Sequence, residues 1–175
     1  MKKDNGKKLV VLMLSQAFLK GHSKAGKLNY FVQQLTNALH GYSEHEIQLP
    51  DGESIVVRGK KLHTIRENYE YWKEKASKIN AGEMELSIRV WSGKPYKSQQ
   101  VEVARLSHVN IQLVEMSYST EDAQPIVYVD NVLKPDIAEE MAKNDGLQLG
   151  DWTEWFFKKT NTFRGVILHF TDFKY

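Results

Sequence analysis

The sequence predicts an α+β fold, a small mixed-strand barrel or curled sheet with several helices attached. Three observations carry this expectation. Strand-like segments, some continuously apolar and some alternating, recur along the chain. Short segments of helical periodicity separate them, without the regular strand–helix–strand order of a doubly wound sheet. No Gly-rich phosphate loop precedes any of the helical segments. The length of 175 residues suffices to bury a core and reads as one domain over residues 9–175 behind a polar tail of residues 1–8.

Leu9 to Leu14 is an apolar run bounded by polar residues, the pattern of a buried strand. Phe18 to Lys27 is a basic loop with two glycines, either a solvated connection or a substrate-facing loop. Leu28, Phe31, Val32, Leu35 and Leu39 fall at helical spacing, and His40-Gly41 closes that helix. Pro50-Asp51-Gly52 marks a turn, and Ile55 to Val57 a short strand. Tyr69, Trp72, Ala76 and Ile79 predict an inserted helix around 68–80, with Asn68 as its N-cap.

Glu83 to Trp91 alternates with period two. Met84, Leu86, Ile88 and Val90 fall on the core face, and Ser87, Arg89 and Trp91 on the other. Ser92 to Ser98 is a turn rich in cations and hydroxyls. Gln100 to Met116 reads as one or two strands bending near Ser107-His108, and Tyr118 to Pro125 as a polar loop before the strand Ile126 to Val129. Pro135-Asp136 is expected to open a helix through a capping box to Glu139, ending with Gly146 in the left-handed C′ position. Asp151 and Glu154 suggest a second capping box for a short helix carrying Trp152, Trp155, Phe156 and Phe157. Gly165 to Phe170 is the last strand.

Composition narrows the chemistry. There is no cysteine, which excludes a disulfide framework and a thiolate metal site and is compatible with a cytoplasmic protein. The N-terminus faintly resembles a signal peptide, but its apolar run is too short and no small-residue cleavage site follows. No apolar run approaches the length of a membrane span, so no membrane partner is expected. A net charge of +2 is too mild to announce a nucleic-acid binder, so that case rests on where the charges sit. The six histidines have no paired spacing, so neither a metal nor another cofactor is expected.

The most informative stretch is Gly59-Lys60-Lys61-Leu62-His63-Thr64-Ile65-Arg66. It packs three cations, a histidine and a hydroxyl around two apolar residues. A regular strand would put Lys61 and Thr64 on opposite faces. If they share a site, the chain turns near Gly59 to Lys61 and is extended only from about Leu62.

This stretch resembles the G-x-K-x-x-T-I-R signature of the ASCH domain, a branch of the PUA-like superfamily. The His22-to-Gly26 loop before a helix, the Asn144-Asp145-Gly146-Leu147 helix end, the aromatic helix after it and the closing strand Val166 to Phe170 follow in the family's order. Glu67 to Tyr96 and the region around Ser117 to Gln124 look like elaborations. The resemblance implies a PUA-like pseudo-barrel with flanking helices and a cleft, and a role in RNA or modified-nucleoside biology. One branch hydrolyses the amide of acetylcytidine with the lysine and threonine of the signature and an acidic residue near the following helix. Here those positions are Lys61, Thr64 and Asp145. The hydrolases have glutamate at the last position and are more compact.

Two functions follow as expectations, without fixing an oligomeric state. In a binding module, Lys60, Lys61, Arg66, Arg89, Lys94 and Lys97 line one groove and hold phosphates of RNA or of a nucleotide. Trp91 and Tyr96 stack bases, and His63 neighbours the pocket. In an amidohydrolase, Thr64 is the nucleophile, Lys61 the base and Asp145 its orienting or proton-passing partner. The bland alternatives are a strand hydroxyl, a solvated lysine, a helix-end aspartate, and Trp91 packed under a helix. His169, in an apolar strand, reads as a satisfied core histidine. A third class is a protein-interaction module using Trp152 or Trp155 as exposed aromatics.

Overall fold

The computed structural model describes residues 6–175, so most of the expected tail lies outside the described residues. Strand β1 (Lys8–Met13) runs parallel to β5 (Met84–Trp91), which pairs antiparallel with β6 (Gln100–Leu106). A five-stranded sheet has the order β4 (His63–Arg66), β10 (Thr162–His169), β7 (Asn110–Ser117), β8 (Ile126–Val129) and β9 (Val132–Leu133). A hairpin of β2 (Glu44–Gln48) and β3 (Ser54–Arg58) stands apart from both. Helices α1 (Phe31–His40), α2 (Tyr69–Asn80), α3 (Ala138–Asn144) and α4 (Leu149–Phe157) complete an α+β architecture. None of the three sheets closes on itself.

Two apolar clusters hold the layers together. The first joins Val10, Leu12, Leu86 and Ile88 to Trp72, Ala76 and Ile79 of α2 and to Val166 and Leu168 of β10. Leu86 and Ile88 are fully buried, each worth about 1.5–3 kcal/mol of transfer free energy. The second cluster sets Ala138, Met141, Ala142 and Trp152 of α3 and α4 against Val114, Val127, Val129 and Ile167. Between them, β10 presents Val166 and Leu168 to one cluster and Ile167 to the other, the period-two alternation of a strand buried on both faces. Gly165 is obligatory, because a Cβ there would lie 2.2 Å from the Arg66 carbonyl.

The departures from expectation have local causes. Helix α1 begins at Phe31 and not Leu28, because Tyr30 is left-handed at φ 58° and Asn29 Oδ1 accepts from the Phe31 N–H at 3.1 Å. Leu28 instead bridges to Ala17. The Asp136–Glu139 capping box does not form: Asp136 has φ 56°, its carboxylate accepts from Gln124 at 2.8 Å, and α3 starts two residues later. Asp151 lies inside the first turn of α4 and is taken by Lys24, so the second capping box is also absent. Asn68 does cap α2, accepting from the Tyr71 N–H. At the end of α3 the Gly146 N–H bonds to the Lys143 carbonyl and the Leu147 N–H to the Ala142 carbonyl, a Schellman closure with Gly146 at φ 87°.

Candidate functional site

The motif is held by two helices. Gly59 takes φ 95°, and Asn37 of α1 donates to the Val57 and Gly59 carbonyls. The Lys61 N–H bonds to the Gln34 carbonyl and the Leu62 N–H to the Asn144 carbonyl, at 3.0 and 2.8 Å. Extended structure starts at His63. The chain thus turns at Gly59 to Lys61 and then enters β4.

This turn drives Lys61 inward. Its side chain is 1 % exposed, with Nζ 2.6 Å from Asp145 Oδ1 and a second bond to the Asp145 carbonyl. The ammonium also sits 4.1 Å from the centre of the Phe31 ring, over its face. Lys61 therefore caps the C-terminal end of α3, where a cation meets unsatisfied carbonyls and the negative end of the helix dipole. Burial pushes Lys61 down from the usual lysine value against the opposing pull of Asp145. Burial likewise pushes Asp145 up, opposed by Lys61 and Arg66. The Trp152 indole N–H is buried without a hydrogen-bond partner among the described residues.

A polar chain extends from this pair through residues far apart in sequence. His63 Nδ1 is 4.0 Å from Asp145 Oδ1, and its Nε2 is 2.7 Å from the Tyr175 hydroxyl. Asn144 donates to the same hydroxyl, and His63 Nδ1 is buried without a hydrogen-bond partner among the described residues. Burial, then Lys61 and His169, hold His63 well below the ordinary histidine value, while burial raises Tyr175. Gln112 donates to Asp130 and the Tyr175 carbonyl and accepts from the Tyr175 N–H. His169 Nε2 meets the same acceptor oxygen at 3.0 Å, which makes it the protonated nitrogen. His169 is thus a core histidine with a hydrogen bond at Nε2 and, among the described residues, no partner at Nδ1.

Thr64 is 2 % exposed and pairs in register with Leu168, on the β4 face opposite His63. Among the described residues its hydroxyl has no hydrogen bond to Lys61 or Asp145. The sequence-predicted trio is thus brought together as a pair, with Thr64 on the next strand position but turned the other way. Arg66 reaches out of β4 and donates to the Met13 carbonyl at 2.9 Å, joining the edge strands of the two larger sheets.

The remaining predicted binding residues lie elsewhere. Lys60 is exposed on the turn. Arg89 donates to Ser87 and Gln100, with Glu102 close by. Trp91, Lys94, Tyr96 and Lys97 sit at the β5–β6 hairpin, where the Trp91 and Tyr96 rings are 5.2 Å apart. They do not share one groove with Lys61.

A cleft opens instead at Arg66. It has a volume of about 600 Å³ and lies between the 19–22 loop, the end of β4 and the outer face of α4. Trp72, Trp155, Phe156 and Phe163 supply aromatic walls. Lys20, Arg66, Lys158 and Lys159 outnumber Glu67 and Glu154 among the charged residues lining it. The loop is fixed from behind: the Ser23 N–H and hydroxyl donate to the two Glu154 oxygens at 2.7 and 2.6 Å, and Lys24 pairs with Asp151 at 2.7 Å. Those bonds, Ser23 first and Lys158 next, hold Glu154 down at about 2. His22, its ring 4.6 Å from that of Phe18 and tilted by 33°, accepts the Lys24 N–H at Nδ1 and so presents its Nε2 hydrogen to the Asp151 carbonyl. Trp152, expected as an exposed aromatic, is fully buried, whereas Trp155 packs against Phe31 and faces the cleft.

Sequence reasoning singled out the loop and Arg66 but not Lys158, Lys159 or Phe163 as site residues. The signal was a lysine pair directly following an aromatic helix. Nothing in the sequence pointed to Tyr175 or Gln112, whose partners are fixed only by tertiary folding. Among the described residues no group of three or more histidines and carboxylates is placed to hold a metal, and no helix is long and apolar enough to cross a membrane. Comparison with known families, curated proteins and solved structures finds no match for the chain.

Proposed function

We propose that the protein is an ASCH-type, PUA-like module that binds RNA or a modified nucleoside in the cleft at Arg66. The observation that carries the reading is the lining of that cleft: aromatic walls for a base, with Lys20, Arg66, Lys158 and Lys159 supplying charge for a phosphate. The first apolar cluster, enclosed between two sheets whose edges Arg66 joins, is compatible with a pseudo-barrel reading of the fold. Fluorescence titration at low salt with single-stranded RNA, duplex RNA and free nucleosides tests it. Saturable binding that weakens in a Lys158→Ala/Lys159→Ala variant is expected. Absence of binding to every ligand removes the reading.

A second reading, hydrolysis of an acylated cytidine amide, is favoured by one contact, the Lys61–Asp145 pair at 2.6 Å. Thr64 Oγ1 would attack the acyl carbon, its proton passing to the leaving amine, and water would then release the carboxylic acid from the ester. The pair is sealed beneath Phe31 and does not line the cleft, and the hydroxyl lies on the other strand face, so binding is the better-supported function. Chromatography after incubation with acetylcytidine decides between them. Turnover that persists in both Lys61→Ala and Thr64→Ala variants would overturn the assigned mechanism.

A further inference from the structure

The β5–β6 hairpin carries a second aromatic and basic assembly outside the cleft. Tyr96 is 90 % exposed and left-handed, with φ 62°. A non-glycine residue in that region is strained and persists only where its surroundings over-determine it. Here they do. Ser98 Oγ accepts from the Gly93 N–H and donates to the Lys94 carbonyl, both at 3.0 Å. The Ser92 N–H bonds to the Gln99 carbonyl and the Lys97 N–H to the Lys94 carbonyl. Gln16 anchors the base of the tip through the Trp91 carbonyl at 2.6 Å. The result is a braced turn that holds Tyr96 in water beside the Trp91 ring, the two planes tilted by 51°. Folding gains little from an aromatic ring held that way. A ligand gains a preset surface.

Lys94 and Lys97 flank the ring, and both are exposed. Among the described residues neither has a carboxylate partner. The nearby Arg89 differs, being engaged by Ser87 and Gln100. The tip therefore offers an exposed aromatic ring and, on either side of it in the turn sequence, two exposed cations without a carboxylate partner among the described residues. That is the complement of a base followed by its phosphates, since every base has a π-face and every linkage a negative charge. An acidic peptide would satisfy the lysines and leave the ring unused.

The tip and the cleft flank one segment. The Arg66 guanidinium, at the mouth of the cleft, holds the Met13 carbonyl. The next residue, Leu14, bonds through its N–H to the Arg89 carbonyl of β5, two residues before Trp91.

We propose that the hairpin tip is a second stacking platform, with a base on Tyr96 and phosphates on Lys94 and Lys97, so that the ligand is a single-stranded polynucleotide and not a free nucleoside. This rests on the reading that the cleft takes a nucleic-acid base. Anisotropy titrations with labelled single-stranded RNAs of increasing length, alongside a mononucleotide, test it. Affinity is expected to rise with length to a plateau. Tyr96→Ala lowers the ratio of plateau to mononucleotide affinity about ten-fold, and Tyr96→Trp restores it. Lys94→Ala and Lys97→Ala each reduce the salt slope for the long strand by about 0.7.

If Tyr96→Ala leaves that ratio intact while Lys158→Ala/Lys159→Ala weakens binding, the second platform is wrong and the cleft reading stands. If affinity shows no gain with length, the platform is wrong as well. If the wild-type protein binds neither strand nor mononucleotide, both readings fall. Tight binding of an acidic peptide that survives Tyr96→Ala but not Lys94→Ala would assign the tip to a protein partner instead.

Discussion

Lys61 and the hairpin lysines Lys94 and Lys97 carry the same ammonium group in opposite surroundings. Lys61 is buried, bonded twice to Asp145 and laid over Phe31. Lys94 and Lys97 stand in water at a turn. A buried charge must be paired, because desolvation costs several kcal/mol per ion before any attraction is counted. An exposed one costs nothing to keep and contributes little to stability. The first kind of lysine can organise a fold, and the second is free to meet a ligand. The motif that draws attention in the sequence thus serves two ends: Lys61 locks the turn to α3, while Arg66 faces the cleft.

The strongest way to break this contrast is to unpair the interior. Asp145→Asn or Lys61→Met is expected to cost about 3–5 kcal/mol, since each leaves a charge buried without its partner. Urea denaturation measures the loss. The double variant Lys61→Met/Asp145→Leu, which removes both charges, is expected to recover most of it. A double variant as unstable as the single ones would show that the pair is not the organising contact.

Acid sharpens the comparison next, because the interior chain holds histidines that burial keeps uncharged. His169 is lowered to about 4 by burial and by Lys174, against Asp130. Its folded value lies below its unfolded one, so the unfolded chain binds more protons in that window. Its contribution is fully present above pH 6.5 and is lost as pH falls toward 4, a change of up to about 3 kcal/mol. His63 acts in the same direction. Asp145, raised in the folded state, acts in the opposite one at the acid end. Urea midpoints between pH 7 and 4 should fall more steeply for the wild type than for His169→Gln. Parallel curves would remove His169 from the account.

What the sequence disclosed follows the same division between local and distant causes. The runs at Leu9, Leu28 to Leu39, Tyr69 to Ile79, Met84 to Trp91 and Val166 were legible, because periodicity records which face is buried. The turn at Gly59 and the left-handed Gly146 were legible from backbone chemistry. Strand β2 was not, since Glu44–Gln48 exposes alternate residues and buries none fully. The Asp136 and Asp151 capping boxes misled because Gln124 and Lys24 claim those carboxylates from other segments. In the site, Lys61 and Asp145 were legible as partners through the motif. The chain from His63 through Tyr175 to Gln112 was not, because its links span 112 and 63 residues and leave no spacing to read. The separation of the Arg66 cleft from the hairpin tip was hidden for the same reason.

Between the two lysine environments stands the cap of α2. Asn68 is exposed, left-handed at φ 63°, and accepts from the Tyr71 N–H at 3.3 Å. Asn68→Ala loses the cap and strains the backbone, and is expected to cost about 1 kcal/mol. Asn68→Gly loses the cap but suits the backbone, and should cost only a few tenths. Thermal unfolding of the two variants ranks them. A reversed order would mean that the left-handed conformation at position 68 is irrelevant to the helix start, since both variants lose the side-chain bond.

The smallest effect on stability belongs to the tip. Lys94→Ala and Lys97→Ala remove charges that have no carboxylate partner among the described residues, and each is expected to stay within about 0.5 kcal/mol of the wild type. That near-neutrality is informative only beside the Lys61 result, because both tests delete a lysine ammonium. A tip lysine that destabilised the fold as Lys61 does would have to be holding structure, and the hairpin could no longer be read as a surface kept free for a ligand. Raising the salt concentration separates the two environments again. Screening should leave the penalty of Asp145→Asn almost unchanged, since a buried charge is poorly reached by ions, while any nucleic-acid affinity carried by Lys94 and Lys97 should fall steeply.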